Sequence, residues 1–197
     1  ITSSEIKIVN QENFNKSLYD NGQIVLKKDG SVETWGYVIN HGDSTGVDFS
    51  SGGGVIEVFT NLRAGAALKK DGSVETWGNS ARGGDSSSVA SDLDSGVIRV
   101  FSNEYAFAAL KEDGSVVTWG DSTNGGDSSY SAAQLSSGVS EIFSNHYAFA
   151  ALKEDGSVVT WGATGSAGVV EGPEDTMIFF SSVAAQLTSG VTHIFST

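Results

Sequence analysis

The chain has 197 residues, carries 11 Lys and Arg against 24 Asp and Glu for a formal charge of −13, and contains no Cys. There is no disulfide scaffold without Cys, a single Pro excludes collagen-like and Pro-rich classes, and no apolar run approaches the roughly 18 residues of a membrane-spanning helix. The acidic balance opposes a nucleic-acid partner, because phosphate contacts need Lys and Arg, and no membrane insertion is expected.

One repeat domain over residues 1–197 is expected at this length, with room for a core. A chain that starts at Ile1 rather than Met is expected to be processed or excised. In chain order, Ile6–Val9 aligns with a strand slot that recurs at Val55–Phe59, Val97–Phe101, Val139–Phe143 and Val191–Phe195. Extra residues around Gln11–Leu18 separate the first copy from its hairpin. Four hairpins follow, each with Asp-Gly at the turn (Asp29, Asp71, Asp113, Asp155) and Trp-Gly at the close (Trp35, Trp77, Trp119, Trp161), spaced by 42 residues.

The third hairpin shows the local logic. In Tyr105–Lys111, Ala106, Ala108 and Leu110 share one face while Tyr105, Phe107 and Ala109 share the other. Glu112-Asp113-Gly114 makes a tight turn with Gly at positive φ. Ser115–Trp119, rich in β-branched residues, returns. A fourth short strand is expected near Val89–Leu93 and Ala132–Leu135. The fold class is all-β: four antiparallel units of about 42 residues, stacked face to face because one small sheet cannot bury both of its faces. There are five copies of the strand slot but four hairpins, so one strand is left over. Within one ring Ile6–Val9 is then free to complete the unit of Val191–Phe195 or to displace that strand, and between chains an end strand is free to add to a neighbour's sheet edge.

The last unit breaks the rhythm. Trp119 to Val139 is 20 residues and Trp161 to Val191 is 30. The irregular insertion, 165–180, holds the only Pro and the only Met. Its tetrad Met177, Ile178, Phe179 and Phe180 is either a core anchor or, with Ile6 and Ile8, an interaction surface.

Chemistry is sparse. No nucleophile elbow, zinc-protease pair or phosphate loop is present. His41, His146 and His193 occupy three different repeat slots and are expected at the surface. Asp43, Asp85 and Asp127 recur in Gly-Asp-Ser loops. Their oxygens suit either an Asx-type turn or calcium, the one candidate cofactor, which wants six to eight oxygens. One Trp per unit suits packing between sheets or stacking on a glycan. The position two residues before each Trp, on the same face, is Glu33 and Glu75 early but Val117 and Val159 later.

The run Ala-Phe-Ala-Ala-Leu-Lys-x-Asp-Gly-Ser-Val-x-Thr-Trp-Gly, following Val-x-x-Ile/Val-Phe and preceding a Gly-Gly loop, resembles the regulator of chromosome condensation repeat family. It looks most like that family's bacterial branch in secreted or surface proteins. The resemblance implies β-propeller blades, as a partial or small ring that association can complete. The family's founder is a nucleotide exchange factor for a small GTPase, but the loops and basic tail that carry that role have no match here. The expected function is a non-enzymatic, extracellular or cell-surface module for adhesion or protein–protein interaction. The alternatives are a self-assembling filament or sheath subunit and a glycan-binding propeller.

Overall fold

The computed structural model describes residues 7–8, 23–35, 44–163, 167–171, 177–179 and 187–195; for 7–8, 23, 35, 167–171, 177–179 and 195 it describes the backbone alone. Within these residues the fold is all-β, in five three-stranded antiparallel sheets. The chain divides into two units, Ile1–Val97 and Ile98–Thr197.

The first unit holds two repeat sheets. One comprises β1 (Lys7–Ile8), β2 (Gln23–Leu26) and β3 (Val32–Trp35); the other comprises β4 (Val55–Thr60), β5 (Ala64–Lys69) and β6 (Val74–Gly78). A helical turn, α1 (Ala90–Leu93), follows. The sheets stack face on face: Ile24 and Leu26 of β2 bury against Val58, Ala67 and Trp77 of the second sheet. Every residue of β5, the centre strand of its sheet, is buried.

The division falls at the head of β7 (Val97–Ser102), and the second unit repeats the pattern. Its sheets are β7 with β8 (Ala106–Lys111) and β9 (Val116–Gly120), then β10 (Val139–Ser144), β11 (Ala148–Lys153) and β12 (Val158–Gly162). The expected faces are observed. Ala106, Ala108 and Leu110 pack on Ile142, Phe149, Ala151 and Trp161 of the next sheet. Alanine at the contact lets the sheets approach, since a bare methyl is the smallest side chain that still excludes water.

The turns explain the Asp-Gly signature. Asp113 Oδ1 accepts from Ser115 N at 2.9 Å and Ser115 Oγ at 2.6 Å, and Asp29, Asp71 and Asp155 repeat the arrangement. Gly114 has φ +75°, and a Cβ there would lie 2.7 Å from Gly138 N. Its carbonyl accepts from Val139 N at 3.0 Å, tying the hairpin turn to the first strand of the next sheet; Gly30 and Val55 do the same, and the Gly156 carbonyl accepts from Val191 N.

Two expectations about the strands are corrected. The segments read as a fourth strand are helical turns: Ser87–Val89 and Ser129–Ser131 are 3-10, and α1 follows the first. They drop Leu93 and Leu135 into the core, each 2% exposed. A single apolar anchor in a Ser-rich stretch needs one turn, not a strand's alternation.

The leftover strand is also reassigned. β1 pairs with β2 in its own repeat sheet, Lys7 opposite Leu26 and Ile8 opposite Val25. The strand without a repeat hairpin is β15 (His193–Phe195). Its partner is β13 (Ala167–Glu171) from the insertion, which also pairs with β14 (Met177–Phe179).

Candidate functional site

The most elaborate polar network sits where each first strand turns into its hairpin. Asn103 is 2% exposed. Its Oδ1 accepts from Tyr105 N and Ala106 N, both at 2.8 Å, and its Nδ2 donates to Asn124 O at 2.7 Å. Asn61 reproduces all three bonds with Arg63, Ala64 and Arg82, and Asn145 accepts from Tyr147 N and Ala148 N. A buried amide satisfied on both ends fixes the turn and pins a distant loop to it. These residues were not among the sequence candidates, although their 42-residue spacing is as regular as that of the Trp residues.

In the second unit this turn carries a surface cluster in which equivalent positions of successive repeats meet. Tyr105 stacks on Tyr147 with ring centroids 5.4 Å apart and planes 29° apart. His146 Nε2 lies 3.6 Å from Glu104 Oε1, and its ring is 5.9 Å from that of Tyr147. Glu104 N donates to His146 O, and Ser144 Oγ donates to Ser102 O at 2.8 Å. Tyr147 is 42% exposed. On the Ser129–Ser131 turn, Tyr130 is fully exposed.

The candidates read from the sequence have these places. Asp85 Oδ1 accepts from Ser87 N at 2.9 Å, and Asp127 Oδ1 from Ser129 N at 2.8 Å, which is the Asx-turn arrangement. These bonds hold both carboxyls below the usual carboxylate range. The adjacent Ser86 and Ser128 bond Thr76 and Thr118 of the return strands at 3.0 Å. Among the described residues no three His, Asp or Glu converge on a point that a metal ion can occupy. Asp43, Ile6 and Phe180 lie outside the described residues, as does His41. Ile8 lies in β1, and Met177, Ile178 and Phe179 form β14. His146 and His193 are exposed.

Trp77, Trp119 and Trp161 are buried, at 2%, 2% and 8% exposure. Trp119 stacks on Phe107 and Trp161 on Phe149, with centroids 5.3 and 5.4 Å apart. Where the repeat has Gly65 instead of Phe, the Trp77 ring fills the space, since a Cβ at Gly65 would lie 2.2 Å from it. These three rings are packing elements, and their faces are closed to a sugar. At the two Glu positions, Lys69, 2% exposed, donates to Glu75 at 2.9 Å and to Ser51 Oγ at 2.6 Å, and Lys27 pairs with Glu33.

Two surface grooves run beside the first two hairpin turns, lined among others by Lys27, Asp29, Gly30, Ile56 and Lys70, and by Asp48 and Phe49. Their carboxylates are already engaged, Asp29 by Ser31 and Asp48 by Ser50.

No protein-family model matches the chain, and no curated protein matches it. Solved structures do. Yeast RCC1 (Prp20), determined with Kap60, is 18% identical with a TM-score of 0.51, over 90% of this chain and 48% of that one. The fold is that of an RCC1-like β-propeller. A second structure of Prp20p from Saccharomyces cerevisiae matches at 17% identity and a TM-score of 0.50, over 90% of this chain and 50% of that one. The CRINKLY WD40 ectodomain of the Arabidopsis thaliana receptor kinase ACR4 matches at 17% and 0.50, over 76% of this chain and 55% of that one. The chain therefore spans about half the length of each of these structures.

Proposed function

We propose that the chain is a non-enzymatic repeat module of an extracellular or cell-surface protein, and that it binds a protein partner through the turns of its second unit. The observation that carries this reading is the Tyr105–Tyr147 stack with His146 and Glu104 beside it. Tyr offers large contact area with few torsions to freeze, and pre-stacked rings lose less on binding. Among the described residues, the buried side chains serve packing and the turn carboxylates serve backbone. Protein partners are known for two of the similar propellers: Kap60 for yeast RCC1, and Gsp1p and histones for Prp20p.

The test is binding of the immobilised chain to a panel of recombinant ectodomains, with a Tyr105→Ala/Tyr147→Ala variant in parallel. A partner whose affinity falls on the order of tenfold or more in the variant, at unchanged circular dichroism, supports the reading. An empty panel, or a partner indifferent to both tyrosines, overturns it.

A further inference from the structure

The tyrosine stack holds a carboxylate that packing does not account for. Glu104 sits on the turn between β7 and β8, and its side chain is 16% exposed. Its backbone N–H donates to His146 O. Among the described residues its carboxylate accepts no hydrogen bond, and its charged neighbour is His146 Nε2 at 3.6 Å, a cation only when protonated. Withdrawing most of a carboxylate from water is unfavourable unless donors replace the water, and the described residues of the turn supply none.

The ring beside it is open. Tyr105 covers one face of Tyr147, which keeps 42% of its surface exposed. His146 contacts both the carboxylate and the Tyr147 ring, so the two belong to one surface. An aromatic face attracts a cation through its quadrupole, and a carboxylate attracts it through its charge. The second unit has few cations of its own to place there. Residues 98–197 contain 11 Asp and Glu against three cations, Arg99, Lys111 and Lys153. Lys111 and Lys153 close β8 and β11 at the far end of each strand, about 20 Å along it from Tyr105 and Tyr147. Arg99 is engaged over the Phe101 ring, 5.0 Å from its centroid.

An arginine suits this surface better than a lysine. Its planar guanidinium stacks on a ring while its N–H fork reaches a carboxylate, whereas an ammonium is a compact and strongly hydrated charge. The geometry points to Tyr147 and Glu104 as the seat of an arginine side chain from a basic segment of the protein partner. The guanidinium lies on the open Tyr147 face and donates to the Glu104 carboxylate, replacing the exposed His146 beside it. This rests on the binding role proposed for the tyrosine turns and names the chemistry of the partner.

The test uses the folded full chain and three end-capped octapeptides, of alternating Arg-Gly, Lys-Gly and Glu-Gly, with binding followed by calorimetry at physiological ionic strength. The arginine peptide is expected to bind about fivefold or more tightly than the lysine peptide. Glu104→Gln and Tyr147→Ala should each weaken it by about fivefold or more. Glu154→Gln, which removes an exposed acid at a hairpin turn, should leave it unchanged and controls for general attraction to an acidic protein. Should Tyr147→Ala fail to fold, the isosteric Glu104→Gln decides alone. Equal affinity for the arginine and lysine peptides, absence of binding by the arginine peptide, or a loss as large in Glu154→Gln as in Glu104→Gln overturns the inference. An ectodomain partner that needs both tyrosines but is indifferent to Glu104→Gln overturns it and leaves the proposed function standing. Glu104-dependent arginine binding beside an empty ectodomain panel supports it and overturns that function.

Discussion

Asn103 illustrates how much one side chain settles in this chain. Replacing it by Ala leaves the N–H groups of Tyr105 and Ala106 and the carbonyl of Asn124 without their partner. Each buried polar group left unmet costs about 1–3 kcal/mol. Asn103→Ala is expected to destabilise by about 2–4 kcal/mol, read as a shift in urea midpoint at unchanged slope. The Asp–Ser turns act at the same scale. Ser hydroxyls and N–H groups hold Asp29, Asp71, Asp113 and Asp155 below the usual carboxylate range, and Asp48 at about 2, chiefly through the Ser50 hydroxyl. A carboxyl depressed in the folded state contributes stability that is present above its unfolded value and is lost as pH falls through the folded one. Stability should therefore hold above about pH 4 and decline below it. An Asp29→Asn/Asp71→Asn/Asp113→Asn/Asp155→Asn variant should show a flatter acid limb, and an unchanged limb would count against these turns as its source.

At the scale of strands and sheets, the centre strands are the sensitive elements. Ala108 has no exposed surface and meets the neighbouring sheet. Ala108→Leu forces the sheets apart and should cost about 1–3 kcal/mol; a neutral effect in thermal unfolding would mean that the sheets yield without loss. Lys69 and Glu75 form a pair of unequal burial, 2% and 40% exposed. Glu75→Val would make the hairpin resemble the third and fourth, but it leaves the buried Lys69 ammonium without its carboxylate, with the Ser51 hydroxyl still bonded. Lys153, which takes the place of Lys69 in the fourth hairpin, instead reaches the carbonyl of Gln134. Removing one partner of a fully buried pair costs 3–5 kcal/mol, and the half-open Glu75 reduces that to about 1–3. The double variant Lys69→Met/Glu75→Val should recover most of the loss.

For the molecule as a whole, the formal charge of −13 sets its response to salt. Like charges spread over the surface oppose folding, and ions screen them. The melting temperature should rise between low ionic strength and 0.3 M NaCl, with the increase levelling off at roughly that concentration as the screening length falls below the charge spacing. A falling melting temperature would show that attractive pairs such as Lys69–Glu75 outweigh the repulsion. Each unit is built from stacked sheets that meet through side chains of neighbouring repeats. Substitutions in one sheet are therefore expected to act on hydrogen exchange in that sheet and in those stacked on it within the unit.

Much of this was present in the sequence because the repeat is a local code. Asp-Gly-Ser closes its turn with bonds inside three residues, alternation along Ala106–Lys111 follows from the pleat, and a Trp recurring every 42 residues among alanines has few places to go but between sheets. The Asn61, Asn103 and Asn145 network was equally periodic, but its meaning was not local, since the amides of Asn61 and Asn103 each bond a carbonyl 21 residues away. The Val89–Leu93 and Ala132–Leu135 segments were ambiguous because one buried Leu serves a strand and a turn alike. Only tertiary structure decided which strand stood without a repeat hairpin. The copies at Ile6–Val9 and Val191–Phe195 carry nearly the same pattern, so pairing alone distinguishes them. β2 lies beside β1, and the insertion, which belongs to no repeat, completes the sheet of β15.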